Sequence, residues 1–149
     1  MNKIYTFIFF SLISFSNISF ANEIFIESEE LVIKNYPLTN TFIGNVYAYD
    51  KEIKLWSDKI LVLYTENNQI YQIKGFGNTK LIRKDQKVLC ENIIYHVIDK
   101  KIFASGDISV TQDKNIIEGN QLMIDLVKST SIIKGNNENR VTVKIENYE

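Results

Sequence analysis

Glycine followed by an amide or an acid returns along this 149-residue chain in a fixed phase. It stands at Gly44-Asn45-Val46, Gly77-Asn78-Thr79, Gly106-Asp107-Ile108 and Gly135-Asn136-Asn137, at gaps of 33, 29 and 29 residues. A second marker, an acid or amide ahead of alternating apolar residues, keeps the same beat. It reads Asp58 before Ile60 and Val62, Glu91 before Ile93, Tyr95 and Val97, and Asn120 before Leu122 and Ile124. Each of these lies 14 residues after its glycine, and Glu29, 29 residues ahead of Asp58, extends the series. Two markers in one phase signal stacked repeats that share a continuous core.

Between the markers the apolar pattern has period two, the spacing of a strand with one buried face. Ile102, Ala104, Gly106, Ile108 and Val110 fall on one side, and Lys101, Ser105, Asp107, Ser109 and Thr111 on the other. Val141, Val143 and Ile145 repeat the alternation near the C-terminus, as do Ile24 and Ile26 near the N-terminus. Twenty-four Ile against three Ala and one Pro favour a pleated surface over helices. The expected fold class is therefore all-β.

Polar turn signals fall between successive markers, at Asp50-Lys51-Glu52, Glu66-Asn67-Asn68, Lys84-Asp85-Gln86, Asp99-Lys100-Lys101, Asp113-Lys114-Asn115 and Lys128-Ser129-Thr130. Asn, Asp and Gly suit both kinds of turn because they accept left-handed backbone angles. The longer first period is assigned to an extended hairpin tip around Asn67-Asn68, where insertions are tolerated. If the long strands bend at Gly44, Asp58, Gly77, Glu91, Gly106, Asn120 and Gly135, each contributes to two facing sheets. Stacked bent hairpins of that kind enclose an apolar slot between two antiparallel sheets.

The N-terminus carries Lys3, an apolar run from Ile4 to Ile13, and Ser19-Phe20-Ala21, the pattern of a secretory signal cleaved after Ala21. Residues 1–21 are then a signal peptide and residues 22–149 the mature domain. Losing Lys3 leaves 16 basic and 18 acidic side chains, a balance that argues against nucleic acid. The single Cys90 excludes an intrachain disulfide and reads as a small core residue. The single His96 points away from the face of Tyr95 and Val97. With no nucleophile elbow, metal-spaced cluster or phosphate loop, no enzymatic role and no cofactor or metal is expected. Asp58 and Glu91 read as corner chemistry because Asn120 replaces them at the third equivalent position.

The slot admits two readings. Its inward residues fill it against one another, as in most sandwiches, or the sheets splay and the same residues line a groove. By alternation the inward set includes Ile60, Val62, Ile93, Ile108, Val110, Leu122 and Ile124.

Several segments resemble the OstA-like family of lipopolysaccharide-transport proteins. They are Ile24-Phe25-Ile26-Glu27-Ser28, Phe42-Ile43-Gly44-Asn45-Val46, Ser57-Asp58-Lys59-Ile60-Leu61-Val62 and Ile117-Glu118-Gly119-Asn120-Gln121-Leu122. Gly77-Asn78, Tyr95 and Ala104-Ser105-Gly106-Asp107 continue the likeness across nearly the whole mature chain. Trp56 and Glu91 stand where the family more usually has small residues, and the C-terminal tail is shorter. The resemblance implies a taco-like β-jellyroll with an open hydrophobic groove, periplasmic and stacked head to tail into a bridge. Its partners would be lipopolysaccharide, through the lipid A acyl chains, an inner-membrane LptC-like jellyroll, and the jellyroll domain of an outer-membrane LptD-like protein. Positions matching family residues that face acyl chains are Ile24, Ile26, Tyr95 and Val97. Lys54, Lys59, Lys80, Arg83 and Lys87 either meet sugar and phosphate groups outside the groove or form a plain solvated face. The rival readings are a membrane-anchored LptC-like subunit, whose N-terminal segment stays attached, and a closed-core structural β-solenoid.

Overall fold

The computed structural model describes residues 23–146; the signal-peptide expectation for residues 1–21 lies outside them. The described residues form ten strands and no helix. They are β1 (Phe25–Glu27), β2 (Glu30–Asn35), β3 (Leu38–Tyr49), β4 (Ile53–Tyr64), β5 (Ile70–Arg83), β6 (Gln86–His96), β7 (Lys101–Gln112), β8 (Asn115–Asp125), β9 (Thr130–Lys134) and β10 (Thr142–Lys144). Consecutive long strands pair antiparallel along the path β1-β3-β4-β5-β6-β7-β8-β10, with β2 added to β3 and β9 to β8. Backbone pairing follows one path through every corner, so the two facing layers of this jellyroll are halves of a single folded sheet.

The hairpin turns coincide with the polar signals, and the longest connects β4 to β5 across residues 65–69, where the surplus was expected. Five turns hold a non-glycine residue at positive φ: Asn68, Lys84, Lys100, Asp113 and Ser129. Lysine and serine take that position at three of them. Tight hairpins need left-handed residues to match the twist of the strands, and here that demand outweighs side-chain preference.

The corners have one construction. Ile43 pairs with Lys59 and Val46 with Ser57, so Gly44 and Asn45 together oppose Asp58. In the same way Gly77 and Asn78 oppose Glu91, and Gly106 and Asp107 oppose Asn120. Two residues against one is a β-bulge, which bends the strand and steepens its twist. The glycines sit at φ 85°, 79° and 81° and the residues after them at 43°, 45° and 40°. Such angles suit Gly, Asn and Asp, the residue types the motif repeats.

The acidic markers complete the corners from the other side. A Cβ on Gly77 would lie 2.5 Å from Asp58 Oδ2, and one on Gly106 would lie 2.9 Å from Glu91 Cβ. Asn78 Nδ2 donates to Asp58 Oδ2 at 2.9 Å, and Asn45 Nδ2 donates to Glu29 Oε1. The Glu29 N–H donates to the Gly44 carbonyl at 3.2 Å. Each acid therefore packs on the next glycine along the stack, which explains why the two markers run in phase.

Gly135 departs from the pattern. β9 stops at Lys134 and the chain leaves the sheet over residues 135–141 before β10 rejoins the other half of β8. Asn136 Oδ1 accepts from the N–H groups of Glu138 and Asn139 at 2.9 and 2.6 Å, closing a local turn. The chain still crosses between layers here, by a loop instead of a bulge.

Candidate functional site

The register places the apolar residues in rows that cross the molecule. In one layer Ile26, Ala48, Leu55, Leu81, Val88, Val110, Ile117 and Val143 are successive cross-strand neighbours. In the other, Leu31, Phe42, Ile60, Gly75, Ile93, Ala104, Leu122 and Ile133 form one row. Ile33, Asn40, Val62, Ile73, Tyr95, Ile102, Ile124 and Ser131 form the next. Directly opposed residues in antiparallel strands share a face, so these rows make one apolar strip running from the β1/β2 edge to the β9/β10 edge.

Of the residues expected to face the slot, Ile60, Val62, Ile93, Ile108, Val110, Leu122 and Ile124 are all buried in one cluster. Ile24, Ile26, Tyr95 and Val97 are half-buried and packed against it. The same cluster holds Val46, Leu55, Ile73, Leu81 and Val88, which the sequence reading did not select. Their signal was present in the alternation but needed the hairpin register to assign a face.

The middle of the strip is closed. Most side chains there are at most 7% exposed, with Tyr95 half-buried among them. The cleft between the layers at the mouth measures about 40 Å³ and is bounded by Ile24, Asp50 and Ile53 on one layer and Ile73 and Tyr95 on the other. A cavity needs only about 10–15 Å³ of such space to hold a water, so this cleft takes a few waters and not a hydrocarbon chain. The open groove implied by the family resemblance is thus absent along the centre in this structure. Apolar faces that meet across a slot lower their free energy by covering each other.

The ends differ. Leu31 and Ile33 on β2 are 48% and 57% exposed, and Val143 on β10 is 51% exposed, although all three lie in the inward rows. β2 and β10 are edge strands whose outer backbone groups face no further strand among the described residues.

Polar groups inside the strip are few and mostly paired. Ser57 and Thr79 share a buried hydroxyl–hydroxyl hydrogen bond of 2.7 Å, and Thr79 Oγ1 donates to the Glu91 carbonyl at 3.1 Å. Asn40 Nδ2 donates to the Tyr64 hydroxyl at 2.9 Å. Burial raises the Tyr95 phenol above its usual range, Asp50 and Glu52 raise it further, and Arg83 opposes them. Burial pushes the Cys90 thiol up to about 12, so it is protonated and unreactive. His96 lies outside the strip, edge-on to Phe103 at 5.5 Å between ring centres.

The outer face of the first layer carries an aromatic ladder. Phe25 stacks on Tyr49, Tyr49 on Tyr47 and Tyr47 on Trp56, with centroids 5.2, 4.9 and 4.8 Å apart. Lys80 Nζ lies 4.1 Å above the Trp56 ring. These contacts hold the three-residue β1 to the sheet and so keep Ile24 at the mouth of the slot. Trp56 occupies an outward position in this ladder. A concavity of about 370 Å³ lies on the outer face of the second layer around Ile94, Phe103, Met123 and Ile132.

A bent antiparallel sheet folded around one apolar strip defines the class: a repeat-built jellyroll with hydrophobic ends. The family described as LptA/(LptD N-terminal domain) LPS transport protein matches residues 25–130, and the chain belongs to that family. Among solved structures, the fold is similar to that of LptH, the LptA-homologous periplasmic component of the lipopolysaccharide transport device of Pseudomonas aeruginosa. That likeness has a TM-score of 0.75 at 14% identity, covering 84% of this chain and 96% of that one. No curated protein matches the chain.

Proposed function

We propose that this protein is a periplasmic component of the bridge that carries lipopolysaccharide from the inner to the outer membrane, acting as a carrier without chemistry of its own. The observation that carries this reading is the unbroken apolar strip, exposed at both ends, in a member of the lipopolysaccharide-transport family. A methylene removed from water contributes about 0.8 kcal/mol, so a twelve-carbon chain contributes roughly 9 kcal/mol. That is enough to offset separating a few apolar pairs across the slot. Acyl chains then enter by parting the two layers, and Ile24, Ile26, Ile60, Val62, Ile93, Tyr95, Val97, Ile108, Val110, Leu122 and Ile124 face them.

The exposed ends supply the partners. Edge strands offer unpaired donors and acceptors for another chain's strand. Added modules cover Leu31 and Ile33 at one end and Val143 at the other. An LptC-like jellyroll, an LptD-like jellyroll and further copies of this chain each fit such an edge. Residues 1–21 then serve as the export signal, and the mature protein starts at Asn22.

A photo-crosslinking residue at Ile26 or Tyr95 is expected to capture lipopolysaccharide in cells, while one at the outward Thr111 is not. Capture confined to the outward position contradicts the reading. The packed centre favours one competitor, a closed-core β-solenoid that serves only assembly. Such a protein takes up no neutral acyl probe, whereas the carrier does.

A further inference from the structure

Arg83 stands apart from the other cations. It is the last residue of β5, two positions beyond the buried Leu81, and pairs with Ile53 and Gln86. That parity turns it toward the slot, whereas Lys54 and Lys87, one position from Ile53 and Gln86, face outward. The Nε–H of Arg83 is buried and has no hydrogen-bond partner. Asp50, which like Arg83 acts on the Tyr95 phenol, has its Oδ1 accepting from the N–H groups of Glu52 and Ile53 at 2.7 Å each. Buried donors in folded proteins are almost always paired, and a guanidinium presents a planar fork of donors suited to phosphate oxygens.

We propose that Arg83 is the headgroup-binding residue at the mouth of the slot, receiving the phosphate of an amphiphile whose hydrocarbon lies between the layers. This rests on the slot admitting hydrocarbon. In the closed mouth the Nε–H has no partner. Parting the layers exposes that donor when the acyl chain enters beside Ile53 and Tyr95. Apolar burial and anion pairing are thereby coupled at one point, and phosphorylated amphiphiles are selected over neutral ones of equal chain length. Asp50 and Glu52 sharpen the choice, because they repel an anion that lacks hydrocarbon to hold it in place.

The test uses the mature protein and three probes: a lauroylated glucosamine phosphate, the same lipid without phosphate, and inorganic phosphate. Wild type is expected to bind the phosphorylated lipid about tenfold more tightly than the neutral one, the size expected of one charge-assisted hydrogen bond. Arg83→Gln removes that preference and leaves neutral-lipid binding and melting temperature unchanged, and Arg83→Lys restores it only in part. Equal affinity of wild type for the two lipids overturns the Arg83 assignment alone. Loss of neutral-lipid binding in Arg83→Gln overturns it too, by making the residue structural. Inorganic phosphate binding as tightly as the phosphorylated lipid makes this a free-anion site and overturns the headgroup assignment. Failure of wild type to bind either lipid removes the slot reading and this inference together.

Discussion

The centre and the ends of the apolar strip have the same residue types and the same register, yet only the centre is dry. Ile60 and Ile102 are at most 1% exposed, while Ile33, in the same row as Ile102, is 57% exposed. The difference is one of neighbours. A central residue has strands on both sides and a layer in front, whereas an end residue lacks a strand on one side. Under the proposed function, the ends meet partners and the centre admits a guest that first parts the layers.

The largest test of that contrast is a pair of truncations. Ile102→Ala should destabilise the protein by about 2–5 kcal/mol, the usual cost of an aliphatic cavity. Ile33→Ala should cost less than about 1 kcal/mol, as expected near a solvated edge. Denaturant midpoints measure both, and equal losses would remove the distinction between the regions.

Gly106→Val should come next, at roughly 1–3 kcal/mol, because a branched residue is strained at positive φ and its Cβ meets Glu91. An unchanged melting temperature would show that the corner tolerates any residue. Val143→Asp at the β10 end should leave stability within about 0.5 kcal/mol while weakening end-to-end association in sedimentation. Stability loss without any effect on association would place Val143 in the core instead.

The smallest effect concerns the β8–β9 turn. Asp125 accepts from the N–H groups of Lys128 and Val127 at 2.9 and 3.0 Å, and the Lys128 N–H above all holds its carboxyl below the usual range. A lowered folded value stabilises the protein above the ordinary carboxylate pKa of about 4 and loses that stability as pH falls below it. Amide exchange at Val127 and Lys128 should therefore quicken in acid, and Asp125→Asn should abolish the pH dependence. A pH-independent exchange rate in the wild type would rule the turn out as an acid-labile point.

The strands and bends were legible because their determinants are local. A glycine-amide pair needs positive φ wherever it lies, and period-two alternation needs only neighbours in sequence. Gly135 misled because its motif is local but its partners are not: the chain beyond it forms a loop instead of a continuing strand. Openness was illegible for a different reason. Alternation shows that Ile60 and Ile93 face inward, but not how far the facing layer stands from them. Arg83 lay among the surface cations until register gave it a face.

The central claim is that the closed middle of the strip parts to admit hydrocarbon, and isosteric photo-leucine tests it without enlarging any side chain. Leu55, Leu81 and Leu122 face the slot and are buried, whereas Leu89 faces outward and is 41% exposed. Illumination with lipopolysaccharide followed by mass mapping should place lipid adducts at the three inward leucines and spare Leu89. Adducts at Leu89 with none at Leu55, Leu81 or Leu122 would mean that the lipid rides on the outer surface and the slot stays shut.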